Sequence, residues 1–260
     1  MKKLVLLLHV LGTVFGQSTP RVLVGLIGLM CVLCGVRAEA RTLDHSSGFA
    51  NHDDLMANGS AHYVGTTAIL TDNFGEAGSI FTVSPVQITN FSSDFEFTIL
   101  PFETGIPLAD GMTFCIQSAG PMALGGSGGG LGYELIPTSV AIKFDVFDNN
   151  GEGTNSTGVF TDGEFPSVPK SNGDVLIALS GTGIDLTSGD LFHAVITYHN
   201  GSLTIAITDT ATGASFQKTI SIDIPSVVGG SRAFVGFTGG TAGLAAVQTI
   251  YTWTFSGQGP

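Results

Sequence analysis

The chain is patterned for β-strands. Apolar residues alternate with Ser, Thr and other polar residues in short runs, and Gly, Asn, Asp and Ser separate one run from the next. Alternation with a period of two is typical of a strand that buries one face. No stretch after residue 40 has the spacing of an amphipathic helix. The runs that predict strands are 61–70, 91–100, 112–117, 140–147, 175–179, 191–198, 203–208, 216–222, 233–237 and 248–255.

Two turn sequences predict that consecutive strands pair as hairpins. Asn200-Gly201 suits a two-residue type I′ turn, because both of its positions need a positive φ. Residues 209–213 connect the next two runs in the same way, which predicts an antiparallel meander. Many short strands, 18 Phe residues and only 12% charged residues favour an all-β fold, an antiparallel two-sheet sandwich.

Residues 1–40 have a different pattern. Lys2 and Lys3 precede an apolar run over 4–15, and a second run over 22–36 leads to Ala-Glu-Ala at 38–40. This order predicts a signal peptide cleaved before residue 41, and hence a secreted protein. An uncleaved anchor is the alternative, although each run is shorter than the ~20 residues of a membrane-spanning helix. Residues 41–260 are then one domain, with no membrane contact after cleavage.

The charge and the cysteine content reduce the number of possible functions. The net charge is −12, and four of the nine basic residues lie within 1–40. An acidic chain of this kind is a poor ligand for nucleic acid or anionic membranes, but it suits divalent cations and neutral ligands. Cys115 is the one cysteine after residue 40, which excludes a disulfide framework. The four sequons predict candidate glycosylation sites at Asn58, Asn90, Asn155 and Asn200.

Three polar stretches stand at the ends of apolar runs. They are Ala-Asp-Gly at 109–111, Gly-Gly-Gly-Leu-Gly at 128–132, and the run from Val140 to Asn149. In the third stretch a carboxylate, an aromatic ring and an amide alternate, so an extended chain projects all three from one side. Polar groups on loops held by a rigid sheet are typical of sites for small polar ligands.

These stretches, in this order, resemble the ligand loops of the legume-type (L-type) lectins. The family motifs are Ala-Asp-Gly, Gly-Gly-x-Leu-Gly and Val-Ala-Val-Glu-Phe-Asp-x-Phe/Tyr-x-Asn. Residues 91–97, 235–243 and 252–255 are similar to three further family motifs, so the resemblance covers about residues 45–257. It implies a legume-lectin-like jelly roll and a non-catalytic protein whose partners are glycans.

The resemblance also implies roles for individual residues. Asp110 accepts hydrogen bonds from sugar hydroxyls, Gly129 offers its backbone N–H, Asn149 donates from its amide, and Phe147 supplies a flat ring. Carboxylates form the stronger, charge-assisted hydrogen bonds, and an aromatic ring packs against the C–H face of a sugar. The family further implies a cis peptide bond between residues 109 and 110.

The expected metal site departs from the family pattern. Family members bind a transition metal and Ca²⁺ side by side, but Lys143 stands where the family has Glu, and no His lies between positions 63 and 192. An ammonium group cannot ligate a metal, so we expect the transition-metal site to be lost. Calcium binding stays open, because oxygen donors of the kind that Ca²⁺ prefers remain. These are Asp145, the Phe147 carbonyl, Asn149 and Glu152.

Two other functions compete with a lectin. A sandwich-fold glycoside hydrolase needs two facing carboxylates, and neither Asp94 with Glu96 nor Asp145 with Asp148 suits that arrangement. We therefore expect no enzyme. A structural or adhesive sandwich that has lost its sugar site is the other alternative, and the altered metal site keeps it open. By analogy with the family, a homodimer through the back sheet is expected.

Overall fold

The computed structural model describes residues 42–170 and 173–259. The predicted signal peptide, its cleavage point and the alternative anchor lie outside the described residues. Among the residues described, no helix is both long and apolar enough to span a membrane.

Sixteen strands make up about half of the described chain. They arise where the sequence alternates apolar and polar residues, and glycine, asparagine and serine turns separate them. In chain order they are β1 Thr42–His45, β2 Leu55–Gly59, β3 His62–Val64, β4 Thr67–Thr71, β5 Ala77–Thr82, β6 Val86–Gln87, β7 Asn90–Pro101, β8 Gly111–Gln117, β9 Ser139–Asp145, β10 Ser156–Thr161, β11 Val175–Ala178, β12 Phe192–His199, β13 Ser202–Asp209, β14 Ser215–Ser221, β15 Arg232–Gly240 and β16 Ala246–Gln258.

The strands form two antiparallel sheets. The first sheet has the order β14-β13-β12-β7-β16-β4-β3, with β1 also paired to β16. The second sheet has the order β11-β10-β9-β8-β15-β5-β2, with β6 also paired to β15. The all-β, two-sheet sandwich that the sequence predicts is confirmed.

An aromatic cluster joins the two sheets at their core. Phe95 of β7 in the first sheet is fully buried. Its ring lies 5.9 Å from Phe114, 5.8 Å from Phe144 and 4.9 Å from Phe237, measured between centroids. The last three residues belong to β8, β9 and β15, the central strands of the second sheet. These contacts fix the position of the strands that end at the candidate site.

A second, smaller cluster covers the opposite face of the second sheet. Cys115 and Ala141 alternate with the core residues of β8 and β9, so they face away from the first sheet. Tyr133 and Ile136, from the segment between these two strands, pack against them. Cys115 is a buried free thiol, and burial raises its pKa above the usual range.

The predicted hairpins are confirmed, but two of the predicted strands differ from those in the structure. Asn200 and Gly201 have φ angles of 50° and 79°, and His199 pairs with Ser202 across the turn. The run 61–70 is two strands instead of one, because Gly65 turns the chain at a φ of 60°. The predicted strand 140–147 ends earlier, at Asp145.

One short helix, α1 (Ile224–Val228), was not predicted. The Asp223 side chain accepts a hydrogen bond from the Ser226 N–H at its N-terminus, and Pro225 occupies the first turn. Gly229, at a φ of 78°, ends it. The capping signals are local and easily read, but a five-residue helix is too short to show an apolar period.

The sequons differ in how their amide groups are placed. Asn58 donates to the Pro121 carbonyl oxygen at 3.0 Å, and Asn155 donates to the Ile184 carbonyl oxygen at 2.7 Å, so both amides are engaged by the protein. Asn90 is half-buried, whereas Asn200 is exposed at the tip of its hairpin. The fold therefore favours Asn200 as the acceptor of an N-linked glycan.

We predict that replacing Phe95 by Ala destabilises the fold by about 3–5 kcal/mol, because the cavity cannot collapse between two sheets. Chemical denaturation monitored by fluorescence measures this loss. Met122→Ala, at a side chain that is 74% exposed, is the control and should change the stability by about 0.5 kcal/mol or less. Equal losses in the two variants would contradict the packing described.

We also predict that chains secreted from a eukaryotic host carry a glycan at Asn200 and none at Asn58 or Asn155. The reason is that a glycan on either of the latter two would break the inward hydrogen bonds of the amide. Peptide mapping by mass spectrometry after enzymatic deglycosylation checks the occupancy. Glycans on folded protein at Asn58 or Asn155 would show that this placement of the amides is wrong.

Candidate functional site

The candidate site lies where three neighbouring strands of the second sheet end. Gly111, the first residue of β8, is opposite Asp145 on β9 and opposite Gly240 on β15. Asp110, one residue earlier, donates its N–H to the Gly240 carbonyl oxygen at 3.1 Å. The Val146 N–H in turn donates to the Asp110 carbonyl oxygen at 2.9 Å. The predicted cis peptide bond between Ala109 and Asp110 is confirmed.

The Asp110 and Asn149 side chains meet at this point. The Asn149 Nδ2 donates to the Asp110 Oδ1 at 3.2 Å. Asp110 is 3% exposed, and its other carboxylate oxygen, Oδ2, is buried with no hydrogen-bond partner among the described residues. Burial raises the pKa of Asp110, and the hydrogen bond from Asn149 opposes that rise.

The glycine-rich stretch packs directly against this pair. Gly128–Gly130 forms a single 3₁₀ turn, and the Gly128 N–H donates to the Thr241 carbonyl oxygen at 2.9 Å. A Cβ atom on Gly129 would lie 2.6 Å from the Asn149 Cγ, a distance that no real side chain tolerates. Gly129 therefore has to be glycine for Asn149 to reach Asp110.

Phe147 lies beside this cluster rather than within it. Its N–H donates to the Asp145 Oδ1 at 3.1 Å, which closes the turn that follows β9. Phe147 is half-buried and lines an apolar pocket of about 370 Å³, together with Ile106, Leu108 and Val146. The structure thus brings Asp110, Gly129 and Asn149 into contact and places Phe147 next to a neighbouring apolar surface.

A buried ion pair lies at the end of β9, next to the turn that leads to Asn149. The Lys143 Nζ donates to the Asp145 Oδ2 at 2.7 Å, and both side chains are almost completely buried. The same Nζ lies 5.4 Å from the centre of the Phe160 ring, close enough for a cation–π contact. Burial raises the pKa of Asp145 to about 6, and the charge and hydrogen bond of Lys143 act against that rise.

The calcium donors expected from the sequence lie around the same turn. The Asn149 Oδ1 and the Glu152 Oε1 are buried oxygens without a hydrogen-bond partner among the described residues. Glu152 is also close enough to raise the pKa of Asp145 through its negative charge. Unsatisfied buried oxygens are rare in folded proteins, and oxygens of this type are what Ca²⁺ binds. The chemistry of these oxygens suits a calcium ion.

The residues do not fit a transition metal. Within the described part of the chain, no three His, Cys, Asp or Glu side chains converge as a metal site would require. Lys143 holds the Oδ2 of Asp145, and Ser156, directly across the ladder from Asp145, offers only a hydroxyl. Neither an ammonium group nor a neutral hydroxyl replaces the carboxylate and imidazole ligands that such an ion prefers.

One supporting segment was missed by the sequence reasoning. The turn at 72–76 precedes β5, and the Glu76 Oε2 accepts hydrogen bonds from the Asp72 and Asn73 N–H groups. The Thr241 N–H donates to the Glu76 carbonyl oxygen, and the Gly75 N–H donates to the Ala242 carbonyl oxygen. This turn therefore holds the loop against which Gly128 packs. Its only sequence signal is a short Asp-Asn-x-Gly-Glu stretch, which is common in turns.

Comparison with known proteins places the chain in a family. The model of the legume lectin domain matches residues 46–260. Among curated proteins, the L-type lectin-domain containing receptor kinase I.7 of Arabidopsis thaliana is 25% identical over 262 residues. Kinase VIII.1 of the same plant is 28% identical over 224 residues. The matches cover 90% and 78% of this chain, but only 38% and 29% of those proteins.

Solved structures show the same fold. Basic winged bean lectin with Tn-antigen superposes with a TM-score of 0.71 at 19% identity, covering 84% of this chain and 98% of the lectin. The Bauhinia forficata lectin in complex with GalNAc gives a TM-score of 0.69 at 23% identity, again covering 84% and 98%. At these identities the likeness concerns the fold, whereas the family model covers most of the chain. The chain belongs to the legume lectin domain family.

Proposed function

We propose that the chain is a secreted, non-catalytic lectin that binds glycan hydroxyls at the cluster of Asp110, Gly129 and Asn149. The observation that carries the proposal is the Asp110 Oδ2, a buried carboxylate oxygen that no described residue satisfies. Leaving such an atom unpaired costs free energy unless a ligand or a water molecule donates a hydrogen bond to it. A hydroxyl group of a sugar is a donor of the right kind.

The surrounding groups would complete the recognition of a sugar ring. Asn149 holds the Asp110 Oδ1 and keeps the carboxylate turned so that the Oδ2 remains available. Gly129 has no side chain, so Asn149 packs directly against it, and Phe147 provides an apolar surface two residues from the amide. Small, preformed sites that combine a few fixed polar groups with one apolar wall are typical of ligand binding.

Calcium is part of the proposal. Asp145, Asn149 and Glu152 would hold it with the Phe147 carbonyl oxygen, and waters would complete the six to eight ligands that Ca²⁺ takes. A calcium ion would supply positive charge that fixes the turn carrying Asn149. The two unpartnered oxygens of Asn149 and Glu152 support this assignment.

We propose a non-catalytic protein because of where the candidate carboxylates lie. Asp94, one of the pair weighed for a hydrolase, is on the first sheet and is paired with His193, whose Nε2 lies 2.9 Å from its Oδ1. Asp145 is held in the ion pair with Lys143, while Asp148 is exposed. Neither pair places two free carboxylates across a cleft, as glycoside hydrolysis requires.

Dimerisation through the first sheet is a further part of the proposal. On its outer face a row of hydroxyl side chains crosses five neighbouring strands, which gives a polar surface that a second copy could match by hydrogen bonds. The row consists of Ser256, Ser92, Thr197, Thr204 and Thr219.

We predict that Asp110→Asn weakens glycan binding while the protein stays folded. The amide keeps an oxygen for Asn149 but places a donor or a weaker acceptor toward the sugar, and a lost charged hydrogen bond lowers affinity by about 10-fold or more. A glycan array, begun with galactose and GalNAc because two structural relatives were solved with such sugars, measures the loss.

Asp94→Asn, a carboxylate on the other sheet, is the matched control and should bind as the unaltered chain does. Circular dichroism checks the fold of both variants. An unaltered chain that binds no sugar on the array would favour the structural or adhesive role. Equal binding by Asp110→Asn and the unaltered chain would remove Asp110 from the site.

We predict that chelation of calcium weakens glycan binding and lowers the melting temperature, and that added Ca²⁺ restores both. Without the ion, the carboxylates of Asp145 and Glu152 repel each other. Glu152→Gln should raise the Ca²⁺ concentration needed for recovery. Calorimetry that detects no Ca²⁺ binding, with glycan affinity unchanged in chelator, would rule out the calcium site.

A further inference from the structure

Lys143 is an unusual residue in its position. It is fully buried in the middle of the second sheet, between Thr113 on β8 and Gly158 on β10. Its ammonium group contacts one carboxylate, that of Asp145, and faces the Phe160 ring. Lysine is almost never fully buried unless it is paired, because taking a lone charge out of water is very costly.

The ion pair is connected to the candidate site by a short chain of contacts. Asp145 is the last residue of β9, and its second oxygen accepts the Phe147 N–H. That hydrogen bond sets the turn from which Asn149 reaches Asp110. The charge of Lys143 therefore acts on the orientation of Asp145, and through it on the segment 145–149.

We infer that Lys143 is a built-in cation, which takes the place of the transition-metal ion that the family resemblance implies. Lys143 is a positioning residue, because it does not touch the ligand itself. Calcium is then the one exchangeable ion at the site. A tethered ammonium supplies a single positive charge without ligands of its own. Only the functional consequence, stronger glycan binding, rests on the proposed function.

The alternative is that Lys143 merely fills space in the second sheet. Its geometry argues against this, because an apolar residue such as Met would fill the same volume without an ion pair. Replacing both members of a buried ion pair by apolar residues is often neutral or stabilising, whereas removing one member leaves an unpaired charge. A buried lysine aimed at the carboxylate that begins the ligand turn therefore has a role that packing alone does not require.

The test uses manganese, whose paramagnetic signal reports binding directly. We expect the unaltered chain, saturated with Ca²⁺, to leave added Mn²⁺ free in an electron paramagnetic resonance titration. Lys143→Glu should take up Mn²⁺, because it places a carboxylate beside Asp145 and Glu152, and the ion should raise the melting temperature of that variant. Lys218→Glu, the same charge change at an exposed position on β14, is the control and should take up none.

A second readout concerns the site itself. Lys143→Met should weaken glycan binding by about 10-fold or more, because the segment 145–149 loses the ion pair that orders it. A tenfold loss of affinity corresponds to ~1.4 kcal/mol. Lys143→Glu should bind glycans weakly in Ca²⁺ alone and recover when Mn²⁺ is added. A lysine that only fills space would show no recovery with the metal.

Two results would overturn the inference: uptake of Mn²⁺ by the unaltered chain in excess Ca²⁺, or no uptake by Lys143→Glu. Both are measured without any sugar, so they stand even if the proposed lectin activity fails. If Lys143→Glu or Lys143→Met does not fold, the titration of the unaltered chain can still overturn the inference, because an intact transition-metal site would bind the ion there.

Discussion

The register of β8 between its two neighbours is the constraint on which the site depends. Gly111 is opposite both Asp145 and Gly240, so three loops that are far apart in sequence meet at the same end of these neighbouring strands. The aromatic contacts of Phe95 with β8, β9 and β15 hold these strands against the first sheet. A shift of one residue in any of them would turn its side chains to the opposite face, and Asp110 and Asn149 would no longer meet.

The site combines groups that folding alone would not select. A buried carboxylate oxygen on Asp110 and buried oxygens on Asn149 and Glu152 each lower the stability of the folded state while they stay unpaired. The sandwich offsets this cost with a large apolar core, and the glycine at 129 allows the amide and the backbone to approach closely. Three unpaired buried oxygens on one group of loops, in a fold with a large apolar core, are typical of a binding site.

The sequence predicted the architecture better than it predicted the strand inventory. Strongly alternating runs such as 91–100 and 203–208 became strands, and the Asn200-Gly201 turn was recognisable because few residues adopt a positive φ. The strand β10, Ser156–Thr161, was missed, since it begins Ser-Thr-Gly and so has the composition of a loop. The contact of Asp110 with Gly129 and Asn149 could be anticipated only through the order of the motifs, because the pairing of distant strands is not encoded locally.

Lys143 shows how a single substitution can be read in two ways. From the sequence alone, a lysine in place of a metal-binding glutamate indicates a lost site. The geometry adds that the positive charge is kept, at 2.7 Å from the carboxylate that would otherwise share the ion. A covalently attached charge cannot dissociate, so the orientation of Asp145 no longer depends on the supply of a transition metal. Its cost is a lower charge than that of a divalent ion; the Phe160 ring stabilises the buried ammonium group but adds no positive charge of its own. Under this inference, the loss of the metal does not require the loss of the binding site.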